Sequence, residues 1–380
     1  MAEELAAIRK RLDATDAKIL DAVAERLRIV DEVAALKARS TMSLRDALRE
    51  DELLTRLQER GKALGLNRFF VRRLFEEIVR HSLRVQQHQL IDLHNPERRA
   101  SGEVQVAYQG TDGAYSQIAA EQHFAAWRAN LQTRGYDSFA EMLTAVRSGA
   151  ADYAMLPVEN TTAGSINEAF DLLASMDLAV VGEELLRVEH CLVALADVPV
   201  SSIRHVYSHP QALAQCSLFL AGLHDCTVES YKDTAMSCAR IRDAGDPSKA
   251  AIASERAADA HGLVVIAHNL ENRSDNTTRF MVVARRPLRF DTRIECKTSL
   301  IFATRHERGA LVRCLNELAN HDLNLTKLES RPRPNTPWEY LFYVDFEGNV
   351  EDERVQETLE ALREHTSYLK VLGSYPVQRR

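Results

Sequence analysis

The sequence lacks several features that would place it in other classes of protein. It has no run of about 18 apolar residues, so no segment predicts a membrane span. Its six cysteines include no C-x-x-C pair, which favours reduced core thiols over a metal cluster. No G-x-G-x-x-G motif follows a strand and no Walker A loop occurs, so nucleotide binding has no support. The start is acidic and does not resemble a secretory signal, so we expect a cytoplasmic protein.

The composition is that of an ordinary globular protein. Apolar residues make up 45% of the sequence and charged residues 27%. The length of 380 residues is enough for two or three domains. The formal net charge of −7 predicts no general attraction to nucleic acid or to acidic membranes. The patterning predicts three domains: an all-helical one over 1–94, an α/β one over 103–286 and an α+β one over 296–376. A linker at 95–102 and a Pro-containing segment at 287–292 separate them.

The first helix is the most informative segment. From Leu5 to Arg39 there is no Gly or Pro, and apolar residues recur at helical spacing. At about 100° per residue, Arg26 and Lys37 fall at the centre of this apolar stripe. Burying a cation is costly unless an anion meets it. The stripe therefore predicts both a core and a binding site for an anionic small molecule.

Geometry along this helix separates Arg9 from that pair. Arg26 and Lys37 are about 16 Å apart on one face, a span that suits a dicarboxylate. Arg9 lies roughly 25 Å before Arg26 and about 100° around the helix. Helices expected over 46–60 and 67–93 are too short to cover the stripe. We therefore expect a homodimer in which Arg9 serves the partner's site.

Polar residues on the two shorter helices complete a candidate site. Asp46, Arg49 and Glu50 share one face, and Ser82 and Gln86 enter an otherwise apolar stripe. Any one of them alone reads as a structural ion pair or cap. As a set with the three cations, they place hydrogen-bonding groups where a plain helical bundle would place leucine.

In the central domain, four segments place small polar residues next to expected helix starts. Exposed backbone N–H groups at helix N-termini bind carboxylates, so four such turns suggest a cleft for a small dicarboxylate. Each segment alone is also consistent with an ordinary capping box. The segments are 108–116, 159–165, 207–211 and 233–235.

The helical segment resembles the all-helical chorismate mutase domain, an intertwined dimer. The resemblance implies a Claisen rearrangement of chorismate to prephenate without a metal or other cofactor. Lys37 and Gln86 would donate to the ether oxygen, and Glu50 would accept from the substrate hydroxyl. The matching positions are Arg9, Arg26, Lys37, Asp46, Arg49, Glu50, Ser82 and Gln86.

The central segment resembles prephenate dehydratase, through Pro157–Thr161, Tyr207–Gln211 and Thr278-Arg279-Phe280. The resemblance implies a two-lobed fold like that of periplasmic binding proteins, with the active site in the cleft. Thr278 would protonate or orient the departing hydroxyl as phenylpyruvate forms. An alcohol is a poor general acid, so a relay or pure positioning stays open. The implied substrate-binding residues are Glu159, Asn160, Thr161, Ser208, Gln215, Thr234, Arg279 and Phe280.

The last segment has the element order βαββαβ of a ferredoxin-like domain. Its two motifs resemble those of the phenylalanine-binding ACT domain attached to dehydratases. The resemblance implies feedback inhibition by L-phenylalanine at a pair of such domains, and a dimerisation module without ligand is the alternative. The motifs are Gly309-Ala310-Leu311-Val312 and Glu329-Ser330-Arg331-Pro332.

Two other classes of function compete with the enzyme. A transcription regulator would need a short recognition helix and a basic face, whereas 1–92 has a charge of only +2. A non-catalytic, amino-acid-responsive binding protein would not need Thr278 or the filled set of mutase positions. The expected ligands are therefore chorismate, prephenate and L-phenylalanine.

Overall fold

The computed structural model describes residues 2–40, 42–97, 102–125, 130–333, 336 and 339–378. The chain divides into two compact units, 1–100 and 101–380, here called the helical unit and the α/β unit. Within the described residues, no helix is both long and apolar enough to cross a membrane. Residues 98–101 of the expected linker lie outside the described part of the chain.

The described part of the helical unit forms three helices, as the periodicity predicts. They begin and end within a few residues of the expected bounds. Asp46 and Asn67 cap the second and third by accepting hydrogen bonds from backbone N–H groups one turn on. The helices are α1 (Ala2–Ala38), α2 (Ala47–Ala63) and α3 (Arg68–His94).

The two halves of α1 differ in burial. Every described side chain from residue 4 to residue 22 is exposed. Leu5, Ile8, Leu12 and Ile19 are each about half exposed, although they form the apolar stripe. In the second half, Val30 and Ala34 are buried. Among the described residues of α1, buried side chains thus occur only in its second half.

The α/β unit begins with a lobe, here called lobe 1. Its sheet has the strand order β2 (Asn130–Tyr136), β1 (Glu103–Gln109), β3 (Tyr153–Asn160), β11 (Thr277–Ala284) and β5 (Ala179–Arg187). The strand β11 is antiparallel to both β3 and β5, and it returns to lobe 1 after the chain has built a second lobe. Its elements are β1 (Glu103–Gln109), α4 (Tyr115–Phe124), β2 (Asn130–Tyr136), α5 (Phe139–Ser148), β3 (Tyr153–Asn160), β4 (Gly164–Ser165), α6 (Asn167–Ser175) and β5 (Ala179–Arg187).

Lobe 2 has its own sheet, with strand order β10-β6-β9-β7-β8. The chain enters lobe 2 after β5 and leaves it before β11, so two crossings join the lobes. The elements that follow β5 are β6 (Cys191–Ala194), β7 (His205–Ser208), α7 (Pro210–Gln215), α8 (Ser217–Ala221), β8 (Thr227–Ser230), α9 (Thr234–Ala244), β9 (Lys249–Ala253), α10 (Glu255–His261), β10 (Val264–Ala267) and β11 (Thr277–Ala284).

The remaining segment, here called the terminal domain, forms a sheet of order β13-β14-β12-β15 in which each neighbouring pair is antiparallel. The expected βαββαβ order is confirmed in this structure. Its elements are β12 (Cys296–Thr304), α11 (Ala310–Asn320), β13 (Leu325–Pro332), β14 (Tyr340–Glu347), α12 (Glu353–His365) and β15 (Thr366–Pro376).

The terminal domain packs directly on lobe 1, and one hydrophobic cluster contains residues of both. The hydroxyl of Tyr343 donates to the backbone carbonyl of Phe170 at 3.0 Å. Gly373 has a φ of +145°, and a Cβ atom there would collide with the carbonyl oxygen of Val180. Only glycine therefore allows the backbones of β15 and β5 to approach this closely.

Candidate active sites

In the helical unit, Arg26 on α1 meets Ser82 on α3, and its guanidinium donates to the serine hydroxyl. Ser82 in turn donates to the carbonyl of Ile78 at 2.7 Å. Burial lowers the pKa of Arg26 below its ordinary value. A partly desolvated guanidinium with a neutral partner is suited to receive an anion.

The other charged residues gather around Lys37 at the opposite end of the same face. The Nζ atom of Lys37 donates to the carbonyl of Leu44 at 2.6 Å. Burial lowers the pKa of this lysine, and the positive charge of Arg49 lowers it further. The negative charges of Asp46 and Glu50 act in the opposite direction and raise it. These four predicted residues are therefore close enough to interact electrostatically.

Two of the eight predicted residues, Arg9 and Gln86, have side-chain groups without a partner among the described residues. Arg9 is exposed and makes no hydrogen bond or ion pair with the described residues. Gln86 is buried, and within the described structure its Oε1 atom has no hydrogen-bond partner. A buried carboxamide with an unmet oxygen can still turn its N–H groups toward a ligand.

In the α/β unit, Thr278 on β11 lies directly opposite Asn160 on β3. Both residues are buried, and Nδ2 of Asn160 donates to Oγ1 of Thr278 at 2.9 Å. The Oδ1 atom of Asn160 accepts from the backbone N–H groups of Thr162 and Ala163, each at 3.0 Å. Because a backbone N–H can only donate, these two bonds fix which end of the Asn160 amide is oxygen.

Two further carboxamides extend this arrangement across the lobes. Asn160 also donates to Oδ1 of Asn276 at 2.9 Å. Asn276 donates to Oε1 of Gln215 at 3.0 Å, and Gln215 donates to Oγ1 of Thr162 at 2.7 Å. Gln215 belongs to lobe 2 and the other members to lobe 1. These residues, here called the amide chain, therefore link the lobes beside Thr278.

Arg279 follows Thr278 on β11, and its side chain lies on the opposite face of the sheet. Successive residues of a strand face opposite sides of the sheet. The guanidinium of Arg279 binds Glu183 at 2.9 Å and Asp345 at 2.5 Å, and it donates to the hydroxyl of Tyr375 at 2.9 Å. The guanidinium thus joins lobe 1 to the terminal domain, and the expected role of Arg279 in substrate binding stays a prediction.

Two other predicted substrate-binding residues also lie outside the amide chain. Phe280 is 1% exposed and belongs to a hydrophobic cluster of lobe 1. The carboxylate of Glu159 pairs with Lys327 of the terminal domain at 2.9 Å. Phe280 therefore belongs to the core of lobe 1, and Glu159 contacts the terminal domain.

The remaining predicted residues lie at turns around the lobes. Ser208 ends β7, is fully buried and donates to the carbonyl of Ile252 at 2.6 Å. Thr234 is the first residue of α9. Thr161 donates to the carbonyl of Asp275 at 3.0 Å, beside the amide chain. The segment 159–165 forms a strand and a turn, and the helix expected there begins only at Asn167.

Sequence reasoning missed two members of the site. In the sequence, Asn276 is marked only by its position immediately before the strand that starts with Thr-Thr-Arg-Phe. His190 appeared only as the start of an apolar strand, yet its Nε2 atom lies 2.8 Å from Oε1 of Gln215. A histidine at the start of a buried strand was the available signal.

The predicted regulatory residues divide between two faces of the terminal domain. Glu329 binds Ser165 at 2.9 Å and Arg331 pairs with Asp171 at 2.8 Å, so both face lobe 1. Ser330 and Pro332 alternate with them and are exposed. Gly309 precedes α11 with a φ of +72°, and the next three residues form the start of that helix.

Comparison with known proteins identifies the chain. The chorismate mutase type II family matches residues 8–87, and the prephenate dehydratase family matches residues 106–288. Bifunctional chorismate mutase/prephenate dehydratases from Enterobacter agglomerans and Escherichia coli K12 are each 38% identical over 98% of this chain and 96% of the relative. The chain belongs to this bifunctional family. It is an enzyme with a mutase domain and a dehydratase domain, as the sequence resemblance implied.

A solved structure extends the similarity to the α/β unit. The prephenate dehydratase of Arthrobacter aurescens, solved in complex with L-Phe, is 29% identical with a TM-score of 0.66. The match covers 72% of this chain and 90% of that one.

Proposed function

We propose that the helical unit rearranges chorismate to prephenate and that the α/β unit converts prephenate to phenylpyruvate. The observation that carries the second assignment is the bond from Asn160 to Thr278. This bond makes Oγ1 of Thr278 an acceptor, and no described residue accepts the proton of its hydroxyl. That proton is therefore available to a substrate in the cleft.

The bond also assists the chemistry. Accepting a hydrogen bond draws electron density from the threonine oxygen, so its own O–H becomes a better donor. In the dehydration, the bond between the ring carbon and the carboxylate carbon breaks and carbon dioxide leaves. The electron pair forms a ring double bond and expels the hydroxyl, which departs as water with a proton. Thr278 donates to this hydroxyl and stabilises the negative charge that develops on it.

In the helical unit, positioning and charge supply the catalysis. The rearrangement needs chorismate in its compact conformer and negative charge stabilised on the breaking ether oxygen. In this proposal, Arg26 binds a carboxylate, and Lys37 and Gln86 donate to that oxygen. Arg9 lies about 25 Å from Arg26 along α1, so it completes the site of a second chain in a homodimer.

The terminal domain acts as a phenylalanine-responsive ACT domain in this proposal. The related dehydratase from Arthrobacter aurescens was solved with L-Phe. Here, the start of α11 and the outward residues of β13 leave exposed surface, including Val312 at 58%. Inhibition requires that phenylalanine bind one arrangement of the α/β unit more tightly than another. The cytoplasmic location expected from the sequence stays a prediction.

The decisive experiment follows both reactions on the purified chain. Chorismate loss and phenylpyruvate gain are measured with added chorismate and with added prephenate. We expect Thr278→Val to lower the dehydratase kcat by roughly 100-fold or more, because the proton donor is lost at nearly constant volume. Thr277→Val is the matched control, since the exposed Thr277 hydroxyl bonds only to backbone at 3.3 Å. A chain that turns over neither substrate would favour the non-catalytic binding protein.

A further inference from the structure

His190 is held on both ring nitrogens at the point where the chain enters lobe 2. It is 2% exposed. Its Nε2 atom lies 2.8 Å from Oε1 of Gln215, and its Nδ1 atom lies 3.0 Å from the hydroxyl of Tyr115. Its backbone N–H donates to the carboxylate of Glu271 at 3.1 Å. The imidazole therefore bridges α4 of lobe 1 and α7 of lobe 2 with a defined orientation.

The amide chain determines which nitrogen of His190 carries the hydrogen. Backbone N–H groups fix the oxygen of Asn160, so its Nδ2 donates to the oxygen of Asn276. The Nδ2 of Asn276 then faces Gln215, whose Oε1 must accept. Because that same Oε1 faces His190, the Nε2 atom must donate.

The other side of the ring is consistent with this tautomer. Burial lowers the pKa of His190, so the imidazole is neutral at pH 7 and its Nδ1 accepts. The Tyr115 hydroxyl lies 3.0 Å from Nδ1 and donates to the carbonyl of Glu189 at 2.7 Å, so its one proton is shared between these two acceptors. Tyr115 packs edge-on against the imidazole, with the ring centroids 5.6 Å apart.

We propose that His190 is a positioning residue for dehydration. Its Nε2–H fixes the carboxamide of Gln215, which bonds to Thr162 and lies 3.3 Å from Oδ1 of Asn160. Asn160 in turn holds Thr278. This inference rests on the proposed dehydratase site. It adds a group that lies two residues from Thr278 in the hydrogen-bond chain and acts only through Gln215.

Two amide substitutions test the role of the Nε2 donor. The terminal amide of His190→Gln reaches the position of Nε2, whereas that of His190→Asn reaches only the position of Nδ1. We expect His190→Gln to keep kcat within about threefold, and His190→Asn to lower it by roughly 10- to 100-fold with a smaller change in KM. Equal kcat values for the two variants would overturn the proposal.

A double-mutant cycle separates positioning from a general structural effect. If His190 acts through Gln215, adding His190→Asn to a Gln215→Ala chain changes kcat by less than about twofold. Multiplicative losses would show that the histidine acts by another route and would overturn the proposal. If His190→Asn does not fold, Tyr115→Phe is the alternative variant, because it removes the group that contacts Nδ1 of His190. We expect Tyr115→Phe to lower kcat by a smaller factor, and we expect this loss to disappear in the Gln215→Ala background.

Controls distinguish failure of this inference from failure of the proposed site. Mutase activity and the melting temperature are measured on every variant. His123→Asn is a matched control, because His123 is a half-buried histidine of lobe 1 that bonds to Glu184 at 3.2 Å outside the amide chain. We expect it to lower the melting temperature but not the dehydratase kcat. Full activity in Thr278→Val refutes the proposed site, whereas an inactive Thr278→Val with a fully active His190→Asn refutes only the role of His190.

Discussion

In the helical unit the first half of α1 is exposed along its whole length, whereas in the α/β unit the groups around Thr278 are bonded to one another inside one chain. The contrast extends to individual residues. Arg9 makes no bond with the described residues, while Asn160 makes bonds with both its oxygen and its nitrogen. In the proposed homodimer, the helical unit would complete its site with groups from a second chain, whereas the groups around Thr278 are bonded to one another within one chain.

The difference shows two ways to organise a site for a small anionic substrate. Covering an exposed leucine or isoleucine contributes about 1.5–3 kcal/mol. Leu5, Ile8, Leu12 and Ile19 are each about half exposed. In the proposed homodimer, a second helical unit would gain stability by covering them and would deliver Arg9 at the same time. In the α/β unit, two lobes of one chain supply the opposing groups, and Gln215 links them.

The largest effect should come from breaking the site that needs two chains. Arg9→Ala and Arg26→Ala should each lower mutase kcat/KM by on the order of 10³-fold, because a charge-stabilising donor is lost. Mixed dimers of the two variants should regain part of the activity, since one of the two sites then has both arginines. Purified heterodimers are assayed for chorismate loss.

Arg11→Ala is the control for that experiment, because Arg11 is an exposed arginine on the same half of α1. It should leave mutase activity unchanged. Verified heterodimers without any recovery would show that Arg9 does not act in the partner's site.

A next test asks whether the two sites are independent. Lys37→Ala should reduce mutase activity by roughly 100-fold or more, because the cation facing the ether oxygen is lost. The same variant should dehydrate added prephenate at the wild-type rate. Thr278→Val should show the reverse pattern. Loss of both activities in either variant, with the melting profile retained, would indicate a shared site.

The next effect concerns inhibition by phenylalanine, which should be weakened while the basal dehydratase rate changes less than in the variants above. Gly309→Val should raise the phenylalanine concentration for half-inhibition at least about tenfold, because a side chain would occupy the start of α11. Thermodynamic linkage makes the coupling between the two ligands reciprocal. In the wild type, prephenate should therefore weaken phenylalanine binding by the same factor by which phenylalanine weakens prephenate binding. Dehydratase rates against phenylalanine measure both.

Backbone strain must be separated from steric exclusion in that variant. Gly309 has a φ of +72°, which asparagine tolerates better than valine. Gly309→Asn should therefore be insensitive to phenylalanine without loss of basal rate. Gly262→Asn is the matched control, because Gly262 follows α10 with a φ of +67° and no atom lies near its absent Cβ. Inhibition of Gly309→Asn at wild-type concentrations would place the sensor elsewhere.

The smallest effect concerns pH. Burial lowers the pKa of His190 in the folded chain below the ordinary value of 6.5, which applies to the unfolded chain. At a pH between the folded and the unfolded pKa, the unfolded chain therefore binds more protons than the folded chain. The free energy of unfolding of the α/β unit should therefore decrease as the pH falls below 6.5, with a slope of at most about 1.4 kcal/mol per pH unit from this group. His190→Gln should flatten that slope in urea titrations between pH 5 and 7. An unchanged slope would mean that other groups dominate.

The sequence was sufficient to predict the helices of the helical unit and the element order of the terminal domain. Helical periodicity predicted α1, α2 and α3, and the βαββαβ order of the terminal domain is confirmed. The direction of Arg279 could not be predicted, because alternation along β11 does not show which face another domain covers. His190 was missed for a related reason, since its role depends on Gln215 and Tyr115, which lie 25 and 75 residues away in sequence.

The close approach of β15 to β5 at Gly373 has a consequence for how the α/β unit unfolds. Where backbones touch and Arg279, Glu183 and Asp345 form a shared ionic cluster, separating the sheets exposes buried charge. Lobe 1 and the terminal domain should therefore melt as one cooperative block in calorimetry. In the proposed regulation, an effector bound to the terminal domain would therefore act on lobe 1 and the terminal domain together.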